Sequence, residues 1–324
     1  MTDASTHPYS TLTPDVVAGA VEALGGLCDG RVLALNSYEN RVYQVGRDDG
    51  PPVVVKFYRP GRWTTPQILE EHEFALELAR AEVPVVAPEV HDGRTLFELG
   101  GFRYAVYRRQ GGHWPELGTA DERKWMGRFL GRIHAIGRIR PFRYRAHLDW
   151  RVMGTATAEF LLDEGWIPPH IEVAYSTVVE DALALIEQRF AEATPYRTLR
   201  LHGDCHPGNV LWTDAGPHFV DLDDCIMGPA VQDLWMLVSG RPHEQRAQLE
   251  DLLEGYGEFA DFDWHELALI EPLRTMRIMH YAGWLARRWD DPAFPRAFPW
   301  FEEPKYWEQH VLDLREQLAA MQEG

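Results

Sequence analysis

Several patterns that would place this chain in common protein classes are missing from its sequence. It contains only three cysteines in 324 residues and no C-x-x-C pair, which argues against a disulfide framework and a structural zinc site. No apolar run approaches the ~18 residues that a membrane span requires. The N-terminal residues lack the basic and apolar regions of a secretory signal. We therefore expect a cytoplasmic protein with no membrane partner.

Positive charge is also scarce in this chain. Its 32 Lys and Arg residues stand against 50 Asp and Glu residues, which gives a formal net charge of −18. Because affinity for nucleic acid comes mostly from basic residues that neutralise phosphates, we expect no nucleic-acid partner. The composition, with 45% hydrophobic and 25% charged residues, is that of a globular protein long enough for two lobes.

The hydrophobic patterning changes character near residue 108. Before it, strand-like runs surround one capped amphipathic helix, in the order "RVLALN", "RVYQV", "PVVVKFY", "TPQILEEHEFALELARAE", "TLFEL" and "FRYAVY". After it, the periodicity is mostly helical. We predict a bilobal α+β fold with a small antiparallel-sheet N-lobe, residues 1–108, that carries one main helix. A short hinge would join it to a larger helical C-lobe, residues 109–324.

The charged residues follow the order that phosphoryl transfer from ATP requires. Such a transfer needs a cation for the α/β-phosphates, ligands for metal ions, and a base that orients the attacking hydroxyl. Protein kinases supply the cation from a strand lysine that pairs with a helix glutamate. Lys56 lies on the third predicted strand here. Glu70, Glu71 and Glu73 on the next helix are candidate partners, and the spacing to Leu78 favours Glu71.

The stretch "LHGDCHPGNVLW" supplies the remaining parts of such a site. Asp204 and Asn209 are five residues apart, as in the kinase catalytic loop, and Asp221 ends the apolar run in "HFVDLDD". We predict that Asp204 is the base that accepts the substrate hydroxyl proton. We predict that Asn209 and Asp221 bind Mg²⁺, a cation that prefers oxygen ligands.

The same stretch permits a distant alternative, a metallohydrolase. His202, Asp204 and His206 alternate, and on a strand their side chains would share one face as a zinc cluster. Pro207 and Gly208 oppose this interpretation because they interrupt a strand immediately after His206.

The nucleotide-binding loop of ordinary protein kinases, G-x-G-x-x-G, is absent. The loop between the first two predicted strands reads "NSYENR" instead, where the Ser37 hydroxyl or the Asn40 amide can donate to a phosphate, as can backbone N–H groups. From their position alone, Tyr107 to Gln110 are expected to form the hinge whose backbone meets the adenine ring.

The strand lysine, the HGDxxxxN loop and the later "VD" resemble the aminoglycoside phosphotransferase and choline kinase superfamily, whose fold is protein-kinase-like. The longer phrases "VVKFYRPGRW", "QILEEHEFALELA", "GPAVQDLWML" and "RRWDDPAFPRAFPW" are similar to a bacterial protein-kinase branch of it. This resemblance implies an ATP- and Mg²⁺-dependent, monomeric Ser/Thr protein kinase with a role in stress survival. It also implies that Asp204 and Asp221 are active-site residues and that Ser37 lies in the loop covering ATP.

Two questions stay open at the level of the sequence. A small-molecule kinase acting on an aminoglycoside, a choline-like alcohol or a sugar would use the same catalytic parts, because acceptor choice depends on C-lobe surfaces. Asp233, in "GPAVQDLWML", either hydrogen-bonds the backbone of the catalytic loop and holds Asp204, or only complements its own helix dipole.

Overall fold

The computed structural model describes residues 7–323 and divides them into two compact units. Unit 1 comprises residues 7–146, 199–228 and 233–262, and unit 2 comprises residues 147–198, 229–232 and 263–323. The predicted lobe boundary at residue 108 lies where strand patterns give way to helical patterns, which is a different criterion from compactness. That boundary stays a prediction. Among the residues that the structure describes, no helix combines the length and the apolar character needed to cross a membrane.

The N-terminal part of unit 1 forms a sheet with two helices. Its elements are α1 (Pro14–Glu22), β1 (Cys28–Ala34), β2 (Arg41–Arg47), β3 (Val53–Phe57), α2 (Thr65–Arg80), β4 (Phe97–Leu99) and β5 (Phe102–Arg108). The sheet is antiparallel with the strand order β1-β2-β3-β5-β4. The predicted order of strands with one inserted helix is thereby confirmed.

The later parts of unit 1 add helices and two short strand pairs. These elements are α3 (Ala120–Gly137), β6 (Leu199–Leu201), β7 (Val210–Thr213), β8 (Gly216–Phe219), β9 (Ile226–Gly228) and α7 (Pro242–Tyr256), with 3-10 turns at Pro207–Asn209 and Leu222–Asp224. Helix α6 (Gln232–Trp235) begins at the last residue of a unit 2 segment and continues into unit 1. Strands β6 and β9 pair antiparallel, as do β7 and β8.

Unit 2 is helical. Its elements are a short π-helix (Arg151–Thr155), α4 (Ala156–Asp163), α5 (Glu172–Glu192), a 3-10 helix (Trp264–Leu269), α8 (Ile270–Ala286), α9 (Ala293–Ala297) and α10 (Pro304–Glu323). Phe301 is completely buried among Trp166, Trp289 and Trp307, with ring centroids 5.0–5.2 Å from its own. The small antiparallel sheet and the helical C-terminal part confirm the predicted α+β class.

The pleat of β3 determines where Lys56 points. Val53, Val55 and Phe57 are buried in a core that α1 shares, through Val17 among others. Because successive side chains on a strand point to opposite faces, Lys56 lies on the other face of the sheet. Its backbone there is paired on both sides, with β2 and β5.

Helix α2 covers that second face. The chain enters the helix through Thr64, whose N–H donates to Gln67 Oε1 at 2.9 Å. Buried residues then follow at helical spacing, namely Ile68, Glu71, Ala75 and Leu78. The carboxylate of Glu71 is therefore part of the buried stripe of α2.

A buried imidazole on the same helix predicts how stability depends on pH. His72 lies between Tyr58 Oη, 2.7 Å from Nε2, and Thr95 Oγ1, 2.8 Å from Nδ1. Burial, aided by the Lys56 and Arg145 cations, lowers the pKa of His72 to about 3. An unfolded chain binds this proton near pH 6.5, so stability is lost as the pH falls below that value. We expect about 1.4 kcal/mol less unfolding free energy per pH unit from this group.

Denaturant unfolding between about pH 7 and pH 5 measures this contribution. His72→Gln removes one titrating group from the unfolded state and should flatten the pH dependence by one proton. His243→Gln, at an exposed position of α7, is the matched control and should keep the wild-type slope. An equal slope in the wild type and His72→Gln would contradict the prediction.

Candidate active site

The ammonium group of Lys56 is surrounded by carboxylates. Its Nζ lies 3.2 Å from Glu71 Oε1, 3.1 Å from Asp221 Oδ1 and 3.0 Å from Asp223 Oδ1. The Lys56 side chain is only 7% exposed. Burial by itself lowers the pKa of Lys56, but the three carboxylates outweigh it and raise that pKa well above its ordinary value. Lys56 is therefore a fixed cation at neutral pH.

The three candidate glutamates of α2 have different partners. Glu71 contacts Lys56, as the spacing predicted, and its second oxygen lies 3.1 Å from Arg145 Nη2. Glu70 accepts backbone hydrogen bonds from residues 144 and 145. Glu73 is exposed and pairs with Arg140 at 2.9 Å. Only the Glu71 carboxylate joins the Lys56 cluster.

The sequence did not predict three residues of this cluster, namely Arg62, Arg145 and Asp223. Asp223 is buried beside Lys56 and also pairs with Arg62, whose guanidinium reaches Asp224 as well. Burial raises the pKa of Asp223, but the Lys56 and Arg62 cations outweigh it and hold that pKa below its usual range. Arg145 completes the set through Glu71. The signals were present as the arginines of "RPGRW" and "FRYRA" and the doubled aspartate of "DLDD".

Asp204, Asn209 and Asp221 lie at one end of the β7–β8 hairpin. Asn209 precedes β7, and Val220 follows β8 and donates its N–H to Asn209 O at 3.0 Å. Asn209 Nδ2 in turn donates to the Asp204 backbone oxygen at 2.9 Å, with the Asp204 carboxylate 3.3 Å away. Antiparallel pairing thus brings the predicted base and both predicted metal ligands to one place.

The donor set at this end of the hairpin fits Mg²⁺. Asp221 adopts a left-handed backbone conformation, with φ of 58°, and its side chain is 49% exposed. The Asn209 amide directs its nitrogen toward Asp204, which leaves its oxygen to accept a cation. Mg²⁺ prefers a small number of protein oxygen ligands and takes the rest from phosphate and water. The Asn209 amide oxygen and the exposed Asp221 carboxylate match that preference.

Asp233 contacts the backbone of the predicted catalytic loop. Its carboxylate accepts hydrogen bonds from the N–H groups of His202 and Gly203, both at 2.8 Å. The ring of His134 contacts the same carboxylate at 3.1 Å, and Asp233 is completely buried. The sequence left two roles open for Asp233. The structure shows the hydrogen bonds of the first role, to the backbone immediately before Asp204.

The predicted nucleotide-binding residues occupy the sheet and its loops. Ser37 Oγ donates to Asn40 O at 3.2 Å, and the buried Asn40 side chain accepts from the Arg59 N–H at 3.1 Å. Tyr107 lies near the end of β5, where its hydroxyl is 3.1 Å from that of Tyr58. Gln110 follows β5 and donates to the neighbouring carbonyl group. Contacts of these residues with nucleotide stay predictions.

The geometry opposes the zinc alternative. His202 Nε2 lies 2.9 Å from the Val220 carbonyl oxygen, so this ring nitrogen already has a backbone partner. Within residues 7–323, no group of three His, Cys, Asp or Glu side chains is arranged to hold a metal ion. His206 instead accepts the Gly208 N–H at 3.0 Å, which shapes the loop between Asp204 and Asn209.

Comparisons with known proteins identify a family and several relatives. The phosphotransferase enzyme family (APH) matches residues 31–270. The chain is 46% identical over 319 residues to Stress response kinase A of Escherichia coli strain K12. The aligned residues cover 98% of this chain and 96% of that protein. It is 45% identical over 315 residues to Serine/threonine protein kinase RdoA of Salmonella typhimurium strain LT2, covering 97% and 95%.

Solved structures with the same fold are more distant in sequence. The amicoumacin kinase hAmiN, solved with AMP-PNP, Ca²⁺ and Ami, has a TM-score of 0.67 and 19% identity, covering 86% of this chain and 90% of its own. The microcompartment-associated aminopropanol kinase has a TM-score of 0.68 and 19% identity, covering 94% and 98%. These similarities establish a kinase-like fold.

The contacts of Asp233 predict a positioning role that Asp233→Asn tests. The amide has one acceptor oxygen, so one of the two loop N–H groups loses its partner. We expect the unfolding free energy to fall by about 1–3 kcal/mol. We also expect kcat to fall while the KM for ATP changes little. Asp214→Asn, in the exposed β7–β8 turn, is the control. Unaltered kcat in folded Asp233→Asn would eliminate the positioning role.

Proposed function

The chain belongs to the phosphotransferase enzyme family and is an ATP-dependent phosphotransferase, and on that premise we propose that it is a Mg²⁺-dependent serine/threonine protein kinase. The observation that carries the proposal is the Lys56 ammonium, held between Glu71 and Asp221 next to the Asp204–Asn209 loop. The names and full-length similarity of the two bacterial relatives support a protein as the acceptor.

Each part of the site has a role in this proposal. Lys56 binds the α/β-phosphates and Glu71 keeps its ammonium group in place. Asn209 and Asp221 would hold Mg²⁺, which would supply positive charge to neutralise the phosphoryl oxygens. Asp204, next to Asn209 in the loop, accepts the proton of the attacking serine or threonine hydroxyl.

The β1–β2 loop and the segment at the end of β5 complete the nucleotide site that we propose. Ser37 and Asn40 would contribute hydrogen-bond donors where the β1–β2 loop covers the phosphates. The backbone from Tyr107 to Gln110 would meet the adenine ring. The position of these residues in the sheet and its loops supports both assignments.

The cellular setting belongs to the same proposal. We place the enzyme in the cytoplasm as a monomer that acts in stress survival. The names of the relatives support the stress role, and three free cysteines are typical of a reducing compartment. The net charge of −18 suits a basic protein substrate and a cationic small molecule equally, so the choice of a protein rests on the relatives.

Transfer of labelled phosphate from ATP tests the base and the acceptor together. Asp204→Ala should lower kcat by about 10²- to 10⁴-fold because the hydroxyl loses its base. Mg²⁺-nucleotide binding should persist, since Lys56, Asn209 and Asp221 remain. Asp214→Ala, in the exposed hairpin turn, is the matched control and should keep full activity.

The acceptors are offered side by side, generic basic proteins next to a panel of aminoglycosides, amino alcohols and sugars. Label on serine or threonine of a protein is the result we expect. Transfer to the small alcohols alone would refute the protein-kinase assignment. Full activity of Asp204→Ala would refute Asp204 as the base.

A further inference from the structure

Arg145 is a buried arginine whose guanidinium connects two parts of unit 1. Its side chain is completely buried. Nε donates to the Gln67 backbone oxygen at 2.9 Å and Nη2 to Glu71 Oε2 at 3.1 Å, so that one side of the group holds α2. Nη1 donates to the backbone oxygen of Asp223, so that the other side holds the turn after Asp221.

The position of Arg145 is itself fixed from two directions. The carboxylate of Glu70 accepts the backbone N–H groups of Tyr144 at 2.7 Å and Arg145 at 2.8 Å. The indole of Trp63 lies against the guanidinium, with the ring centroid 4.3 Å from Cζ. A planar group with five donors in fixed directions is pre-organised to satisfy three acceptors at once.

Arg145 connects helix α2 with the turn after Asp221. A site for metal and nucleotide needs the side chains from both segments in fixed relative positions. Glu71 fixes the Lys56 ammonium group. The turn Leu222–Asp224 follows directly on Asp221, whose left-handed backbone conformation costs energy and persists only when its surroundings impose it. Arg145 supplies such a restraint through the Asp223 carbonyl group.

We propose that Arg145 is a positioning residue for metal binding, which holds Asp221 in its metal-binding orientation while it holds Glu71 against Lys56. This inference rests on the proposed role of Asp221 as a Mg²⁺ ligand. Residues that orient a metal ligand without touching the metal change metal affinity or activity by about 10- to 100-fold when replaced. A merely structural arginine would change only the stability of the fold.

The experiment compares Arg145→Lys and Arg145→Met with Arg143→Met. Arg143 is two residues away, and its exposed side chain lies against Tyr144, so it controls for the loss of an arginine from this segment. Binding of AMP-PNP is measured by calorimetry at a series of Mg²⁺ concentrations, and phosphoryl transfer at the same series. Hydrogen exchange of the peptide spanning residues 220–226 is followed without nucleotide or metal.

We expect both Arg145 variants to need about 10- to 100-fold more Mg²⁺ for half-maximal binding and transfer. Excess Mg²⁺ should recover most of the rate, more completely in Arg145→Lys, which keeps the charge. The 220–226 peptide should exchange faster than in the wild type. Arg143→Met should match the wild type in all three measurements. If Arg145→Met does not fold, Arg145→Lys decides the question.

Two different outcomes would overturn different claims. Folded Arg145 variants with wild-type Mg²⁺ requirements and exchange rates, and only a lower melting temperature, would overturn the positioning role alone. A wild-type enzyme that binds AMP-PNP and transfers phosphate equally well with and without Mg²⁺ would overturn the proposed function and this inference with it.

Discussion

The buried ammonium group of Lys56 is the contact point on which the proposed active site depends. It joins strand β3, helix α2 and the turn after β8 through three carboxylates at 3.0–3.2 Å. A buried ion pair that loses one partner leaves an uncompensated charge, which is strongly destabilising. Each of the three segments is therefore constrained by the other two, and Arg62 and Arg145 balance the excess of negative charge.

The carboxylates around Lys56 differ in burial, and we infer different roles for them. Glu71 and Asp223 are buried, and both contact the Lys56 ammonium group. Glu71 also pairs with Arg145, and Asp223 pairs with Arg62. Asp221 has a half-exposed side chain and a left-handed backbone conformation. The buried pair fixes the cation, while the exposed member stays accessible to a metal ion and phosphate.

The sequence predicted those parts of the site whose relations are local. Asp204 and Asn209 share one short loop, and the helical phase that includes Leu78 selected Glu71 correctly as the residue beside Lys56. The two arginines and Asp223 were missed because their contacts depend on tertiary packing. Arg145 is 74 residues from Glu71, and no local periodicity encodes such a pairing. The division into compact units also follows packing, which strand and helix patterns alone do not reveal.

The central claim is that Lys56 and Glu71 act as one unit in holding the nucleotide. A double-mutant cycle on AMP-PNP affinity in the presence of Mg²⁺ tests it most directly, with Lys56→Met, Glu71→Gln and the double variant. We predict that the double variant binds about as weakly as Lys56→Met alone, with a coupling energy of about 1–3 kcal/mol. Losses that simply add would contradict the account.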